Sequence, residues 1–251
     1  MLDGESLNKQ EYNKMVSGEY WKNPYLIEPQ NRAELLNRSY NPTLESDIEK
    51  RKDVLLNAES HNKQEYIKMV SGEYYNWKNP FLIDLQKRAE LLYRSYNWTL
   101  ESDVDTRKDI FSKLFGSFGK NLVIRAPFYC DYGINLHLGD NVYMNLNCVI
   151  LDCAKVTIGN NTMFGPDVKI FTAAHPIDAQ KRISDGFDIA KEIVIGNNVW
   201  IGGGAIVNPG VTIGDNAVIG SGSVVTKNIP SNCVAVGNPC KVIKILEEKE
   251  K

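Results

Sequence analysis

Aliphatic side chains recur every six residues through the second half of the chain. The period is unbroken at Ile195, Ile201, Val207, Ile213, Ile219 and Val225, and shorter runs precede it at Leu138, Met144 and Ile150 and at Ile158, Phe164 and Ile170. A single strand alternates its faces every two residues, so a six-residue period indicates short strands separated by turns. Three such strands close one coil, and stacked coils pair their strands at a spacing of about 4.8 Å. The spacing therefore predicts a mainly β chain with a parallel β-helix over residues 119–246.

An antiparallel β-sandwich is the alternative fold for this pattern. It also consists of many short strands joined by turns rich in glycine and asparagine. A sandwich gives no reason for a six-residue register to continue over six units, so we favour the coil.

The first half of the chain contains a tandem duplication with a helical pattern. Residues 8–53 recur as residues 62–109, with few changes. In the second copy Leu91, Leu92 and Tyr96 fall on one helical face, Pro80 suits a helix start, and Thr99 is a predicted N-cap of a further short helix. We predict that residues 62–118 form a helical segment that covers the open edge of the first coil. Residues 1–57 are an extra copy to which we assign no chemistry.

Composition limits the class of protein. The chain has 251 residues, of which 43% are hydrophobic and 24% charged, and a formal net charge of -2. This balance gives no support to binding of nucleic acid or an anionic membrane. The chain has five cysteines without C-x-x-C pairs, and we identify neither an apolar signal-peptide core nor a bilayer-spanning stretch. We therefore expect a cytoplasmic protein without disulfides.

Several motifs resemble those of the hexapeptide-repeat acyltransferases, and among these the maltose/galactoside O-acetyltransferase group. They are S-G-E-Y at 71–74, P-F-Y-C-D-Y-G at 127–133, H-P-I-D at 175–178, V-W-I-G-G-G-A-I-V at 199–207 and G-N-P-C-K-V-I at 237–243. The resemblance extends over residues 62–246, so residues 8–53 have no counterpart. It implies a left-handed coil, acetyl-CoA as co-substrate, a sugar hydroxyl as acceptor, no metal, and a homotrimer with active sites between subunits.

The candidate catalytic residue lies where the six-residue register breaks. Between Ile170 and Ile195 a polar loop, residues 176–192, leaves the coil immediately after His175. Loops on a rigid scaffold commonly carry function, and an alcohol becomes a good nucleophile only when a base takes its proton. An imidazole suits this role near neutral pH. The resemblance likewise assigns His175 as the general base, without a covalent acyl-enzyme.

The resemblance also implies a set of acceptor-binding residues. They are Asp131, Asn145, Asp152 and Asp188. For Asp152 the neighbouring Cys153 leaves the assignment open by one position, and Asp188 stands where relatives usually carry Glu. The alternative for all four is turn chemistry, because Asn and Asp side chains bond local backbone groups at corners. Asn79, before Pro80, replaces an Asp that is typical of relatives, so the acceptor preference is open.

The donor is expected along an edge of the coil. A pantetheine arm can bond to backbone groups at successive corners where glycines allow close approach, and a backbone N–H there can hold an oxyanion. The expected coenzyme-binding residues are Trp200, Gly203, Ser221, Thr226, Lys227, Lys241 and Lys244. Lys241 and Lys244 match basic positions that, by the resemblance, contact the phosphates of the coenzyme. That they are solvated surface lysines without such a contact is an equal alternative.

Three other functions fit a β-helix. A γ-type carbonic anhydrase needs three zinc-binding histidines, whereas only His137 and His175 occur in the coil region. A non-catalytic hexapeptide-repeat scaffold would not require His175 or the glycine run, Gly202 to Gly204. Transfer to serine or to an antibiotic hydroxyl stays open, because the coil and donor site would look similar.

Overall fold

The computed structural model of the protein describes residues 60–247. The predicted extra copy, residues 1–57, lies outside the described residues. The described part begins with three helices and continues into a coil of short strands. No helix within residues 60–247 is long and apolar enough to cross a membrane.

The coil has three flat faces, each a sheet of stacked strands. The first face contains β2 (Ser117–Phe118), β5 (Leu136–Leu138), β8 (Val156–Ile158), β13 (Ile193–Ile195) and β16 (Thr212–Ile213). The second contains β3 (Val123–Ile124), β6 (Tyr143–Met144), β9 (Met163–Phe164), β14 (Trp200–Ile201), β17 (Val218–Ile219), β19 (Cys233–Val236) and β20 (Lys241–Ile245). The third contains β4 (Phe128–Cys130), β7 (Cys148–Leu151), β10 (Lys169–Phe171), β15 (Ile206–Val207) and β18 (Val224–Val225). Neighbouring strands are parallel, except that β20 returns antiparallel along β19. The predicted parallel β-helix is confirmed.

The six-residue aliphatic positions form the core of this coil. Ile195 pairs in register with Ile158 on one side and with Ile213 on the other, and all three are at most 1% exposed. The same holds on the second face, where Ile201 lies between Phe164 and Ile219. One aliphatic side chain per face therefore fills a narrow interior. Truncation of such an isoleucine to alanine costs about 2–5 kcal/mol in packed cores.

Asparagines form a ladder along the corner between the first and second faces. Asn121, Asn141, Asn161, Asn198, Asn216 and Asn232 have φ values between 54° and 58°. Asparagine adopts this left-handed conformation more readily than most residues, because its short side chain bonds locally. Each amide donates to the next asparagine at 2.7–3.0 Å. These turns explain why Asn and Gly interrupt the aliphatic pattern at a fixed spacing.

The other two corners carry most of the predicted site residues. The loop corner joins the third face to the first and comprises residues 131–135, 152–155, 172–192, 208–211 and 226–228. The glycine corner joins the second face to the third and comprises residues 125–127, 145–147, 165–168, 202–205 and 220–223.

Three helices precede the coil: α1 (Ser60–Val70), α2 (Pro80–Asn97) and α3 (Val104–Leu114). Pro80 is the first residue of α2, as predicted, and Asn79 is its N-cap, with the side chain accepting a hydrogen bond from the Phe81 N–H at 3.0 Å. The predicted N-cap at Thr99 is wrong, because α3 begins at Val104 after Asp103. The Thr99 hydroxyl instead donates to the Tyr96 carbonyl at 2.7 Å and accepts from Arg107 Nε at 2.8 Å. Thr99 therefore ends α2 and does not start α3.

The helices cover the first coil, whose strands β2, β3 and β4 are the outermost of the three faces. Asn97 bonds both backbone groups of Phe128, donating to its carbonyl at 2.9 Å and accepting from its N–H at 2.8 Å. The Tyr96 hydroxyl donates to the Ile124 carbonyl. Because an exposed sheet edge is a template for unwanted pairing, these contacts protect the start of the coil.

The break in the six-residue register is a loop stabilised by its own small sheet. The chain leaves the third face after β10, forms β11 (Ala173–Ala174), makes one π-helical turn (Lys181–Asp185) and returns through β12 (Phe187–Ala190). Strand β12 lies between β11 and β1 (Tyr75–Asn76), and both pairings are antiparallel. The loop is thus held by the coil on one side and by the helical segment on the other.

Candidate active site

His175 and Asp188 form a close pair at the base of the loop. Nδ1 of His175 lies 2.6 Å from Oδ1 of Asp188. The antiparallel register of β11 and β12, in which Ala174 is opposite Ile189, brings the next residues, His175 and Asp188, together. Asp188, which the resemblance placed among the acceptor-binding residues, is therefore in direct contact with the imidazole.

The pair leaves one ring nitrogen available. A carboxylate only accepts hydrogen bonds, so Nδ1 of His175 must carry the proton in this contact. In the neutral ring Nε2 then has a free lone pair, the form that a general base needs. The His175 side chain is 65% exposed and that of Asp188 is 18% exposed, so the ring faces solvent while its partner is largely enclosed.

A small apolar core lies beneath this pair, formed by three parts of the chain. Met69, Tyr75, Phe81, Leu82 and Leu85 come from the helical segment, Tyr132, Cys153 and Ala154 from the loop corner, and Ala190 from β12. Burial raises the pKa of the Tyr75 and Tyr132 hydroxyls well above the usual value, and the nearby thiol and carboxylates act in the same direction. Both hydroxyls therefore stay protonated. Sequence reasoning did not identify Tyr75 or Tyr132, because neither lies in a repeated position of the coil.

Asp131 is a partly buried carboxylate at the loop corner. Its Oδ2 accepts a hydrogen bond from Cys153 Sγ at 3.3 Å, and burial raises its pKa above the usual range. Asp131 thus stands on the same corner as His175, as its predicted role requires. The adjoining Cys153 thiol is only 5% exposed.

Asp152 differs from its expected role, because its side chain is fully buried. The carboxylate accepts hydrogen bonds from the backbone N–H groups of Asp131 at 3.1 Å, Tyr132 at 2.8 Å and Asn135 at 3.3 Å. These bonds favour the ionised form, yet burial outweighs them and raises the pKa of Asp152 to about 7. In this structure the Asp152 carboxylate binds backbone groups of the corner that carries Asp131. The turn chemistry weighed as its alternative describes it better.

Trp200 and Lys244 lie in one column on the outside of the second face. Trp200 pairs in register with Val218, Val218 with Val234, and Val234 with Lys244. Residues in register point to the same side of a sheet, and three strand spacings amount to about 14 Å. Trp200 is 53% exposed and Lys244 is exposed as well, so an extended ligand can reach both. Lys241 lies on the same strand, opposite Val236.

Close packing between coils explains part of the glycine run, whether or not these residues bind a ligand. A Cβ at Gly202 would meet the Ser221 backbone nitrogen at 2.5 Å, and one at Gly203 would lie 3.1 Å from the Pro166 carbonyl oxygen. Gly204 has a φ of +69°, and a Cβ there would meet nothing within 4 Å. Stacking of the coils therefore requires a small residue at Gly202 and constrains Gly203, whereas open space lies beside Gly204.

Apart from Lys241 and Lys244, which lie on β20, the predicted site residues fall into two groups at different corners. His175, Asp131, Asp152, Asp188, Thr226 and Lys227 lie on the loop corner. Asn145, Gly203 and Ser221 lie on the glycine corner, and Trp200 lies on the strand that leads into it. The third face separates the two corners within a chain. The Asn145 side chain bonds its own neighbour, the Leu146 N–H, at 2.8 Å.

A cavity of about 900 Å³ lies away from both groups, between the helical segment and the first coil. Its lining includes Arg107, Phe111, Lys120 and Tyr143 but none of the predicted site residues. Within the described part of the chain, no group of three or more His, Cys, Asp or Glu side chains could hold a metal ion.

Comparison with known proteins gives two matching families. Residues 68–119 match the maltose acetyltransferase hexapeptide capping motif, and residues 192–227 match the bacterial transferase hexapeptide family (six repeats). Among curated proteins, the galactoside O-acetyltransferase of Escherichia coli is 43% identical over 164 residues, which cover 65% of this chain and 80% of the relative.

Solved structures agree with these matches. The maltose O-acetyltransferase of Clostridium difficile is 50% identical, with a TM-score of 0.72 over 73% of this chain and 98% of the other. A hexapeptide-repeat acetyltransferase of Vibrio cholerae, complexed with acetyl coenzyme A, is 34% identical, with a TM-score of 0.69 over 74% of this chain and 100% of the other.

These findings define an acyltransferase built on a β-helix of the left-handed type, as predicted. The chain belongs to the maltose and galactoside O-acetyltransferase family of hexapeptide-repeat proteins. It is an acetyl-CoA-dependent acetyltransferase, so the predicted enzyme class and co-substrate are confirmed.

Proposed function

We propose that the enzyme transfers the acetyl group of acetyl-CoA directly to a hydroxyl of a sugar, with His175 as general base. The observation that carries the proposal is the His175–Asp188 contact of 2.6 Å, which leaves Nε2 free at an exposed position. Nε2 takes the proton of the acceptor hydroxyl as its oxygen attacks the thioester carbonyl. The tetrahedral intermediate then loses the thiolate of coenzyme A, which receives the same proton from the imidazolium.

Asp188 supports this step by fixing the ring. A carboxylate on Nδ1 holds one tautomer and stabilises the imidazolium that forms during transfer. Asp131, on the same corner, is proposed to bond an acceptor hydroxyl. We propose that Asp152 contributes by holding the corner backbone, since its oxygens accept three backbone N–H groups.

The donor is proposed to lie along the second face and the adjoining glycine corner. Trp200 would pack beside the thiol end, and Lys241 and Lys244 would approach the phosphates, because the column from Trp200 to Lys244 spans about 14 Å. Gly203 and Ser221 on the glycine corner are proposed to complete the donor contacts within one chain, and Thr226 and Lys227, on the loop corner, are proposed to reach the donor from the neighbouring chain. A backbone N–H of the glycine run is suited to hold the developing oxyanion.

The two groups of site residues support a site shared between subunits. Since the third face separates the loop corner from the glycine corner, one chain does not bring His175 and Asn145 together. A neighbouring chain that places its glycine corner against the loop corner would complete the site. We therefore propose a homotrimer in which each of three equivalent sites uses both corners. Such sites would have only part of their walls in a single chain.

Each of the five cysteines is buried and free, which suits the reducing cytoplasm expected from the sequence. We propose that the enzyme acts there.

An assay of coenzyme A release tests the proposal. The purified chain is incubated with acetyl-CoA and maltose, glucose, a galactoside, serine or chloramphenicol, and the free thiol is measured together with the mass of the product. We expect a mass increase of one acetyl group on a sugar. Acetylation of serine or chloramphenicol with no sugar product would contradict the proposed acceptor class.

A further inference from the structure

We propose that Tyr75 and the short strand β1 position the catalytic loop, so that the helical segment is part of the active site as well as a cover for the coil. The inference rests on the proposed function, because it assigns a positioning role relative to His175 and Asp188. Nothing in the six-residue pattern points to this role.

Strand β1 is tied to the loop and to α1 at the same time. Tyr75 is opposite Asp188 and Asn76 is opposite Phe187 in the antiparallel pairing of β1 with β12. On the other side, the Asn76 N–H donates to Glu65 Oε2 of α1 at 2.6 Å. A displacement of β1 would therefore move the strand that carries Asp188.

The register places the reacting pair and Tyr75 on one side of the three-stranded sheet. Asp188 of β12 pairs in register with Tyr75 of β1, and His175, the residue after β11, continues the register opposite Asp188. Residues in register point to the same side of a sheet. Neighbouring residues of a strand point to opposite sides, and accordingly Tyr74 is 45% exposed whereas Tyr75 is 1% exposed. The Tyr75 ring thus lies on the side of the sheet from which His175 and Asp188 project.

Tyr75 also joins the three parts of the chain that meet below the site. It packs in one buried cluster with Met69 of α1, Tyr132 and Cys153 of the loop corner, and Ala190 of β12. A hydrogen bond also links α1 to the loop corner, because the Tyr66 hydroxyl donates to Asn135 Oδ1 at 2.7 Å. Removal of the Tyr75 ring would leave a void between the coil, the loop and α1.

The duplicated segment supplies an independent observation. The first copy reads G-E-Y-W at residues 18–21, whereas the second reads G-E-Y-Y-N-W at residues 72–77. The first copy therefore lacks two residues at the place where the second has Tyr75–Asn76, the whole of β1. It keeps Tyr12, Met15 and Tyr40 at the positions of Tyr66, Met69 and Tyr96. In the second copy Tyr66, Met69 and Tyr96 contact residues of the coil, and the two additional residues form the strand that pairs with the loop.

The test uses four variants: Tyr75→Ala, Tyr75→Phe, Asp188→Asn and the double variant Tyr75→Ala/Asp188→Asn. The matched control is Tyr74→Ala, one residue away on the exposed side. We expect Tyr75→Ala to lower kcat by about 10-fold while the KM for acetyl-CoA stays within about twofold, and Tyr75→Phe and Tyr74→Ala to stay within about threefold of the unchanged enzyme. If Tyr75 acts through Asp188, the double variant is no slower than Asp188→Asn alone. Losses that multiply in the double variant would overturn the proposal.

A second measurement does not depend on activity or on the identity of the acceptor. With ¹⁵N-labelled histidine, the ring correlations of His175 report which nitrogen carries the proton, and loss of its signal in His175→Gln assigns it. We expect the Nδ1–H form in the unchanged protein and in Tyr75→Phe, and a mixture of tautomers in Tyr75→Ala and Asp188→Asn. An unchanged tautomer in folded Tyr75→Ala would overturn the positioning role. Absence of acetyl transfer together with the expected tautomer change would refute the proposed function and leave this inference standing.

If Tyr75→Ala fails to fold, a variant without Tyr75 and Asn76 reproduces the spacing of the first copy and is tested in the same way. We expect it to retain acetyl-CoA binding and to lose turnover. Retention of normal turnover by this variant would overturn the proposal.

Discussion

Nδ1 of His175 lies 2.6 Å from Oδ1 of Asp188, a residue that follows it by 13 positions in the chain. The contact exists because the loop leaves the coil through β11 and returns through β12, and these two strands pair antiparallel. The residues at the two ends of the loop therefore lie next to each other. Two consequences follow. The imidazole is oriented from Nδ1, and any change that weakens the small three-stranded sheet should act on His175.

Replacing His175 by alanine removes the proposed base. We expect His175→Ala to lower kcat by roughly 10²-fold or more, because general base catalysis contributes about that factor. The KM for acetyl-CoA and the thermal midpoint should change little, since the side chain is 65% exposed. Steady-state kinetics and a thermal melt check this.

His137→Ala is the matched control for that variant. His137 lies on the first face of the coil, where its Nδ1 is 2.9 Å from the Ser117 hydroxyl. We expect this change to leave turnover within about twofold. Near-normal turnover in His175→Ala would place the base elsewhere.

Replacing Asp188 by asparagine keeps the size of the side chain and removes its charge. An amide can accept from Nδ1 but stabilises the imidazolium less than a carboxylate does. We expect Asp188→Asn to lower kcat by about 10-fold, less than the loss in His175→Ala, because the base itself is still present. A loss equal to that of His175→Ala would contradict a supporting role and indicate direct participation.

Asp152 predicts a pH dependence of stability. Its pKa is raised to about 7 in the folded protein, whereas an unfolded carboxyl titrates near 3.8. Between these values the folded state binds more protons, so the contribution of this group is fully present at low pH and is lost as the pH rises through about 7. The free energy of unfolding should therefore decrease, through this group, by up to about 1.4 kcal/mol per pH unit in that window.

The comparison with Asp152→Asn isolates that contribution from those of other carboxyls. Urea denaturation gives the free energy of unfolding of both proteins at pH 5 and pH 8. The unchanged protein should exceed the variant in this free energy by more at pH 5 than at pH 8. A difference that is the same at both pH values would show that Asp152 has no raised pKa in the folded protein.

The sequence predicted the coil well because its information is local and repeated. Ile158, Ile195 and Ile213 lie far apart in the chain, yet each occupies the same position in a hexad, so one rule places all of them in the interior. The asparagine corners follow the same logic, since the left-handed turn selects residues such as Asn121 and Asn141 directly. Pro80 marked a helix start for an equally local reason, its fixed φ.

The site was harder to predict because it is formed by contacts between distant segments. Tyr75 meets Asp188 through a strand of two residues, too short to leave a periodic signal. Asp152 was expected to bind the acceptor because its type and position matched that role, but burial depends on how the corner folds over it. The error at Thr99 has a similar cause, since its hydroxyl is used by Tyr96 and Arg107, one within α2 and one from the next helix.

The register from Trp200 to Lys244 predicts an effect on donor binding. If Lys244 approaches a phosphate of the coenzyme, Lys244→Ala should raise the KM for acetyl-CoA by about 3–10-fold with kcat nearly unchanged, as expected for loss of a partly exposed charge contact. The effect should weaken as the salt concentration rises, because screening already reduces the contact. Lys120→Ala, an exposed lysine in the first coil, is the control, and an equal effect of the two changes would argue against a specific contact.

The separation of the two corners predicts complementation between inactive subunits. His175→Ala impairs the loop corner and Asn145→Ala the glycine corner, so neither variant alone forms an intact site. If each site combines the loop corner of one chain with the glycine corner of the next, coexpression of the two variants produces some sites with both residues present. For equal amounts mixed at random in a cyclic trimer, about a quarter of all sites are intact. A trimer that contains both variants has one intact site in three, so the mixed trimers should recover about a third of the normal activity. Purification through two different tags and measurement of coenzyme A release would detect it. If the mixed oligomers are no more active than the mean of the two parent variants, the two residues act within one chain or Asn145 takes no part in the reaction. A monomer that is fully active, with its size measured by light scattering, would refute the shared site.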